Sequence, residues 1–382
     1  MKSTRISPFT VRPHTDIEPI ISSQTAVKPR VCVAYVGSFG KDIKRRIHAE
    51  TNGASFFNSV LVDWDSDNVA SHQSMLNLPP SLLLQQDADA ASTAVYERRG
   101  DVARLLGGYR LVIILASLSD PLSSGVAKTL SSISRDCSRT SVGLAVMPFA
   151  FESRIVRKRA AQTLEDWRLE AHCVIASHRD RLGDAVTDND TLDVAMDSGA
   201  DWLAGGIRAM AATHSEPLSL TPGAIGFSDF LGQSGVCQSG FGSARGDDAL
   251  YVAVERAVSQ SMLTRADLLN AGPVMVHIAS KYAPTLSALN TVADRLQDVS
   301  GSDADVRFAF GRDESLGDQV IAAVFARASD RRLQKRRSLE PQRSVASAQA
   351  PRNAGGLYGL QNRNIPAEKN YDIPTYLRKK AG

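Results

Sequence analysis

The sequence predicts an α/β fold in which a mostly parallel sheet is followed by a second, smaller α+β domain. Between residues 31 and 330 the chain alternates short apolar runs with amphipathic helical stretches, the pattern of a parallel sheet covered by helices. A longer helical stretch from Thr191 to Thr213 interrupts this alternation, and the texture changes after it. With 382 residues, 43% of them hydrophobic, the chain can bury one large core or two ordinary ones.

The first half of this body contains five predicted strands separated by helices. The strands are Val31 to Val36, Ser59 to Val62, Arg110 to Ala116, Ser141 to Met147 and Cys173 to Ala176. Two intervening stretches carry apolar residues at helical spacing, namely Val95, Val102, Leu105 and Leu106 in one, and Val126, Leu130 and Ile133 in the other. Each stretch therefore has one apolar stripe that can face the sheet.

The stretch from Thr191 to Thr213 predicts a central helix because its large apolar residues share one side. They are Leu192, Met196, Leu203, Ile207 and Met210. The strands expected after it are Val274 to Ile278, Val306 to Phe310 and Val320 to Phe325, with helices near Ala249 to Ser261 and Thr285 to Val299. We therefore place a domain junction at the central helix.

Composition excludes several classes of protein. No apolar run approaches the roughly 18 to 20 residues that a membrane-spanning helix needs. Residues 1–30 have no continuous apolar stretch, so we expect a disordered tail rather than a secretory signal, and a cytoplasmic location. The four cysteines lack C-x-x-C spacing, which argues against zinc sites and a disulfide framework and favours core positions. The scattered histidines give no metal site, and His277 is expected in the core.

The net charge of +3 hides an asymmetry along the chain. Residues 331–382 carry twelve Lys or Arg and three acidic residues, whereas the preceding residues carry 32 basic and 38 acidic ones. Because the stretch 331–370 has almost no large apolar residues, we expect a disordered linker there. A basic linker suits an acidic partner, an anionic membrane surface or nucleic acid, but a plain solvated linker explains the composition as well, and nucleic acid is the less favoured partner.

Four segments of the body carry short motifs in a specific order. They are Pro148 to Glu152 (P-F-A-F-E), Asp201 to Leu203 (D-W-L), Gly240 to Asp247 (G-F-G-S-A-R-G-D) and Phe310 to Asp318 (F-G-R-D, then L-G-D). Together they resemble the FtsZ branch of the tubulin superfamily, the filament-forming GTPases of prokaryotic division, with the last turn two residues shorter. The resemblance covers about residues 31–330 and the extreme C-terminus. It implies a tubulin/FtsZ-like fold with a Rossmann-like N-terminal nucleotide-type domain, a long central helix and a smaller C-terminal domain.

The segment Tyr371 to Lys379, Y-D-I-P-T-Y-L-R-K, is similar to the family's terminal peptide D-I-P-x-F-L-R-[KR]. An acidic cap, a proline in the first turn and apolar residues at i, i+3 and i+4 are typical of a short docking helix. The residues expected to contact a partner are Asp372, Ile373, Pro374, Tyr376, Leu377, Arg378 and Lys379. In the family this peptide binds membrane tethers and division regulators, so the resemblance implies those partners as well as filament subunits, from this chain or a paralogue.

The resemblance also implies a nucleotide site, and the sequence departs from the family pattern there. The phosphate signature G-G-G-T-G-T-G falls on Ser119 to Gly125, where only the last glycine is kept. A phosphate cradle needs amide groups turned towards the anion and close approach without a Cβ. Pro121 donates no N–H, and Asp120 places a carboxylate beside a polyphosphate, which costs on the order of 4 kcal/mol for one contact near 4 Å at a dielectric of about 20.

The other nucleotide contacts implied by the resemblance are mixed. The turn Gly37 to Lys41 can still bend, and Lys41 either meets a phosphate or is a solvated lysine. Asp87 to Arg99 replaces the family's γ-phosphate loop, and we expect one continuous helix there. Met196 replaces the phenylalanine that stacks on the base. The candidate nucleotide residues are Gly37, Gly40, Lys41, Ser123, Ser124, Gly125, Glu152 and Asp201. The two acids among them match ribose and base contacts, or serve only as helix-start or surface residues.

Hydrolysis in the family uses a loop N-x-D-F-x-D that acts on the nucleotide of a neighbouring subunit. The matching stretch, Ala224 to Asp229, keeps only the second acid, so Asp229 either helps to polarise a water or is a solvated loop aspartate. The resemblance implies GTP or GDP as the ligand, with Mg²⁺ only when GTP is bound. The altered loops argue against both.

The sequence thus supports a non-catalytic or weakly active FtsZ paralogue, located in the cytoplasm and at the division site, that copolymerises with or regulates the division filament. A genuine GTPase with a rebuilt phosphate loop and a scaffold recruited by the basic linker are the alternatives. The expected division of the chain is a tail (1–30), a Rossmann-like GTPase-type domain (31–190), a central helix (191–213), an α+β domain (214–330), a basic linker (331–370) and a docking peptide (371–382).

Overall fold

The computed structural model describes residues 30–50, 57–64, 75–137, 140–178, 190–215, 218–219, 230, 237–259, 263, 265–269, 271–300 and 305–328. These ranges contain two β-sheets and one long helix that contacts both of them.

The N-terminal sheet has six parallel strands in the order β3-β2-β1-β4-β5-β6. The strands are β1 (Val31–Val36), β2 (Asn58–Asp63), β3 (Met75–Asn77), β4 (Leu111–Ser117), β5 (Thr140–Met147) and β6 (Cys173–His178). The helices are α1 (Gly37–Glu50), α2 (Leu82–Gln85), α3 (Ala88–Glu97), α4 (Arg99–Leu105), α5 (Pro121–Asp136) and α6 (Arg154–Glu170). Every residue of β1 and β4 is buried, as expected for parallel strands covered on both faces.

Alternate residues of β1 enter two different apolar clusters. Val31, Val33 and Tyr35 pack on the face that α1 covers, and Cys32 and Val36 pack on the face that α3, α5 and α6 cover. This period of two follows from the pleat of a strand. Helices therefore cover both faces of the sheet, and a ligand can reach the sheet only at the ends of its strands.

The C-terminal sheet has five strands in the order β7-β10-β9-β11-β8, in which β9 and β10 are parallel and the other pairs antiparallel. Its strands are β7 (Leu218–Ser219), β8 (Cys237–Arg245), β9 (Ala271–Ser280), β10 (Asp305–Arg312) and β11 (Gln319–Ala328). One face is covered by α8 (Ala249–Ser259), α9 (Arg265–Leu269) and α10 (Leu286–Ser300).

The central helix α7 (Leu192–Ser215) covers the other face and also contacts α1 and β1. A buried ion pair holds it to the C-terminal sheet: an Arg208 Nη lies 2.9 Å from an oxygen of Asp313 and 2.8 Å from Ser315 Oγ. A Cβ on Gly311 would lie 2.2 Å from the carbonyl carbon of Ala212, so only glycine permits this approach. The F-G-R-D segment thus fixes β10 against the central helix.

The predicted α/β fold with a parallel sheet, a long central helix and a second sheet is confirmed. Three strands were not predicted, β3, β7 and β8. The helix expected over Asp87 to Arg99 is interrupted at Arg98, where α3 gives way to α4. The predicted domain limits stay a prediction. Among the described helices, none combines the length and hydropathy that a membrane span requires.

Candidate functional site

The order of the N-terminal sheet points to the edge where β1 and β4 end. The chain moves from β1 towards β2 on one side and, later, from β4 towards β5 on the other, so the connections diverge between these two strands. A crevice at the carboxyl ends of such strands is where ligands bind in open α/β sheets. The candidate residues Gly37, Ser123 and Glu152 all follow strands of this sheet at that edge.

The N-terminus of α5 at this edge is capped by the chain's own carboxylate. Asp120 accepts hydrogen bonds from the amide groups of Leu122 (3.1 Å) and Ser123 (3.0 Å) and from Ser123 Oγ (2.5 Å). Pro121 stands in the first turn, where a missing N–H costs nothing. Ser124 Oγ donates to the carbonyl of Asp120 at 2.9 Å. The positive end of the helix is thus neutralised internally.

The crevice itself contains a tryptophan that the sequence analysis did not single out. A Cβ placed on Gly37, whose φ is +67°, would lie 2.8 Å from Ser123 Oγ and 3.0 Å from the Trp64 ring. Trp64 follows β2 at the same edge and is only 7% exposed. The indole therefore lies against the first turn of α1. Its position directly after a predicted strand was the only signal available in the sequence.

Lys41 and the two glycines of the prediction have structural neighbours. The Lys41 amine lies 3.9 Å from the carboxylate of Asp63, which is almost fully buried at the end of β2. A Cβ on Gly40 would lie 2.8 Å from the Tyr35 backbone, and one on Gly125 only 2.0 Å from the Ala88 carbonyl oxygen. These glycines allow α1 to approach β1 and α3 to approach α5 closely.

Glu152 ties together the segments that follow β4 and β5. Its Oε1 accepts hydrogen bonds from the Phe149 amide (2.8 Å) and from Ser119 Oγ (3.1 Å). An Arg159 Nη donates to the Ser119 carbonyl at 2.7 Å. The glutamate of the P-F-A-F-E segment is therefore engaged in holding the edge of the sheet.

Asp201 lies on α7 and forms an ion pair with α1. Arg46 donates to Asp201 at 2.6 Å and also to Asp197. Partial burial lowers the pKa of Arg46, but the hydrogen bonds and charges of the two aspartates outweigh this and leave its pKa raised. An open groove of about 520 Å³ runs beside this pair, lined by Phe39, Asp42, Ile43, Arg45, Arg46, Met196, Asp197 and Ala200.

The structure thus brings Gly37 and Ser123 together, links Glu152 to the loop after β4, and turns Lys41 to Asp63. Asp201 stands on a different helix, paired with Arg46. Asp229 and the terminal residues Asp372 to Lys379 lie outside the described residues. Within the part of the chain that is described, no group of three or more His, Cys, Asp or Glu side chains is placed to hold a metal ion.

The chain is similar to known proteins in sequence and in fold. Residues 235–328 match the model of the FtsZ family, C-terminal domain. The cell division protein FtsZ of Helicobacter pylori (strain J99) is 23% identical over 296 residues, which cover 76% of this chain and 75% of that protein.

Two solved structures illustrate the likeness of fold. An FtsZ dimer from M. jannaschii superposes with a TM-score of 0.67 at 17% identity, covering 80% of this chain and 89% of that one. CetZ2 from Haloferax volcanii, solved as a GTPγS-bound protofilament, gives a TM-score of 0.60 at 14% identity, covering 80% and 96%. By its domain match, its relatives and its fold, the chain is similar to proteins of the FtsZ/tubulin superfamily.

Proposed function

We propose that this chain is an FtsZ-like cytoskeletal protein of cell division that does not turn over GTP and that copolymerises with, or regulates, the filament of an active relative. The observation that carries the proposal is the Asp120 cap on α5. Its carboxylate already accepts the hydrogen bonds that the first amide groups of this helix would offer to a phosphate. An incoming polyphosphate would have to displace an anion of the same sign.

The described side chains around the N-termini of α1 and α5 also leave little room for a phosphate, and the candidate lysine there is already paired with an acid. The Trp64 ring and Ser123 Oγ lie where a ligand would approach the first turn of α1. Lys41 is the lysine that the sequence analysis named as a possible phosphate contact, but its amine faces Asp63. The residues at this edge therefore fit a capped, internally packed helix end better than a bound nucleotide, and no hydrolytic step is assigned to them.

Catalysis would also need carboxylates from a neighbouring subunit. Of the family's three polar positions in that loop, the sequence keeps Asp229 alone. One acid is a weak means of polarising a water over a phosphate. Because the resemblance assigns Mg²⁺ to the bound GTP, we propose that Mg²⁺ binds only when GTP does.

A genuine GTPase is the second candidate, and two observations favour it. In the sequence, Glu152 and Asp201 match positions that the resemblance assigns to ribose and base contacts. The groove of about 520 Å³ beside Arg46 and Asp197 is also large enough for a base. In this reading Arg46 releases Asp201 and a nucleotide takes its place. The remnant site would then comprise the residues Gly37, Gly40, Lys41, Ser123, Ser124, Gly125, Glu152 and Asp201.

The partners follow from the terminal peptide. We propose that residues 371–382 dock on membrane tethers or division regulators at the division site in the cytoplasm, while the body contacts filament subunits. The similarity of Asp372 to Lys379 to the family peptide supports this assignment. A scaffold held by the basic linker remains the third reading.

The test is GTP binding and hydrolysis by the purified protein, alone and mixed with an active FtsZ. We expect no rise of the thermal midpoint with GTP and Mg²⁺, although a ligand at a hundred times its Kd would add about 2.7 kcal/mol. We also expect no phosphate release by the protein alone, but co-pelleting or altered turnover in the mixture. Binding or turnover by the protein alone would establish the GTPase instead.

A chain ending at residue 370 separates the two routes of interaction. Its body should still co-pellet with the active relative, because the contact with subunits is assigned to the body. If the mixture shows neither co-pelleting nor a change in turnover with either chain, the regulatory proposal is wrong.

A further inference from the structure

Two buried thiols meet where the two sheets of the body approach each other. Cys173 begins β6, the last strand in the order of the N-terminal sheet, and Cys237 begins β8, the last strand in the order of the C-terminal sheet. The strands β6 and β8 contact each other, and both cysteines belong to the same apolar cluster. They are 4% and 5% exposed, and both are free thiols.

Cys237 Sγ lies 3.7 Å from the Gln238 carbonyl oxygen, and the Cys237 thiol also interacts with the thiol of Cys173. The interaction with Cys173, followed by burial, raises the pKa of Cys237 well above its ordinary value, against the opposing charge of Arg327. Cys237 is therefore a protonated thiol at neutral pH and is not a nucleophile in the closed structure. Its reaction requires β6 and β8 to part locally.

We propose that Cys173 and Cys237 form a modification site, at which a low-molecular-weight disulfide oxidises the pair to an intramolecular bond between the edge strands of the two sheets. When the strands part, Cys173 loses its proton to solvent, and its thiolate attacks one sulfur of the oxidant, forms a mixed disulfide and releases one thiolate, which takes up a proton. Cys237 then loses its proton to solvent and attacks the Cys173 sulfur, which expels the second thiolate. Two electrons pass from the pair to the oxidant, which leaves as two thiols.

The other two cysteines provide matched comparisons within the same chain. Cys32 is buried in β1, where burial raises its pKa to about 12, and Cys137 is half-buried at the end of α5. Both pack in the cluster on the opposite face of the N-terminal sheet. If burial alone caused oxidation, Cys32 would react too, and if partial exposure alone caused it, Cys137 would react. Oxidation confined to Cys173 and Cys237 therefore depends on the contact between the two thiols.

The experiment is oxidation of the purified full chain with oxidised glutathione, followed by thiol counting, intact mass and peptide mapping. We expect two of the four thiols to disappear, the mass to fall by two hydrogen atoms, and the peptides of Cys173 and Cys237 to be joined. A low concentration of urea should accelerate the reaction, because it requires local opening. The oxidised protein should unfold at a temperature roughly 5 °C higher, since the bond closes a long loop.

Variants decide whether the pair is responsible. The double variant Cys32→Ala/Cys137→Ala should still lose two thiols, and Cys237→Ala should form no internal bond. Peptide mapping of the unmodified sequence answers the same question if a variant does not fold. The proposal is wrong if the new bond joins another pair, if glutathione stays on Cys173 without transfer, or if both thiols survive conditions under which the unfolded chain is fully oxidised.

Discussion

At the scale of single residues, Asp120 acts on both the stability of the fold and the ligand that the fold can accept. It closes the N-terminus of a 16-residue helix through two amide hydrogen bonds. The same carboxylate repels any anion that would approach those amides. Asp120 therefore gives the end of this helix an internal partner, at a position that the resemblance aligns with a glycine of the family's phosphate signature.

Replacing Asp120 tests its contribution to stability. We expect Asp120→Ala to lower the free energy of unfolding by about 1 kcal/mol, because the cap is lost, and Asp120→Ser to change it by less than roughly 0.5 kcal/mol, because serine also caps. Urea titration measures both values. Thr285→Ala, which removes the cap of α10, should cost a similar amount and serves as the control. An Asp120→Ala protein as stable as the unmodified one would contradict the capping role.

A fully buried histidine, His277, and a half-buried one, His214, couple the fold to pH. His277 contacts Thr213 at 2.9 Å, and its ring centre lies 5.6 Å from that of His214, between α7 and β9. Burial lowers the pKa of His214 to about 4, with the charge of Arg110 acting in the same direction and a hydrogen bond to the Met210 carbonyl acting against it. Burial, and then the charge of His214, lower the pKa of His277 well below its ordinary value. The folded protein therefore holds both rings neutral.

The sign of the resulting pH dependence follows from these shifts. Because each folded pKa lies below the unfolded value near 6.5, the contribution to stability is complete above pH 6.5 and is lost as the pH falls through about 4. We expect the urea midpoint to fall between pH 6.5 and 5, before most carboxylates titrate. His277→Gln keeps an amide for Thr213 and should flatten this fall. An equally steep fall in the variant would remove His277 from the explanation.

At the scale of elements, the sequence pattern located the ends of the long apolar strands to within three residues but missed β3, β7 and β8. The strand β3 has three residues and β7 has two, too few for periodicity to register. The strand β8 reads C-Q-S-G-F-G-S-A-R, whose small residues hide its alternation. Its glycines are needed by tertiary packing: a Cβ on Gly240 would lie 1.8 Å from the Ala257 carbonyl oxygen of α8. Local propensity cannot reveal a requirement set by a helix that packs across the strand.

This packing makes a prediction about two glycines. Gly240→Ala must push α8 away from β8, and we expect a loss of at least about 2 kcal/mol in unfolding free energy. Gly100→Ala, on α4, meets no atom within 4 Å and should stabilise the protein by about 0.5 to 1 kcal/mol. Thermal and urea unfolding of the two variants provide the measurement. If Gly240→Ala were as stable as the unmodified chain, the close approach of α8 would be wrong.

The candidate site was predictable in place but not in detail. The resemblance aligned the phosphate signature with Ser119 to Gly125, and the structure has this segment directly after β4, with Ser123 beside Gly37. The residues that occupy this edge, Trp64 and the Asp63 partner of Lys41, belong to no motif. Their contacts join segments far apart in sequence, so only the assembled sheet reveals them.

At the scale of the whole molecule, the chain before residue 331 is mildly acidic, and residues 331–382, the C-terminal tail, are strongly basic. Residues 331–382 hold twelve of the 44 Lys and Arg residues but only three of the 41 acidic ones. Recruitment of the chain can therefore depend on the specific side chains of the terminal peptide or on the charge of the tail as a whole. The two causes respond differently to salt, because non-specific ionic binding falls steeply as salt rises.

The last prediction separates them with two variants of the full chain. Leu377→Ala removes one apolar contact and no charge, and we expect it to weaken binding to an FtsZ tether or regulator by about tenfold or more, as loss of a buried anchor does. Removing residues 329–382 should abolish that binding and also any binding to anionic vesicles. The measurement is affinity at low and high salt, with unchanged thermal unfolding as the control for the body. If Leu377→Ala binds normally while affinity falls steeply with salt, the charge of the tail governs recruitment and the docking assignment is wrong.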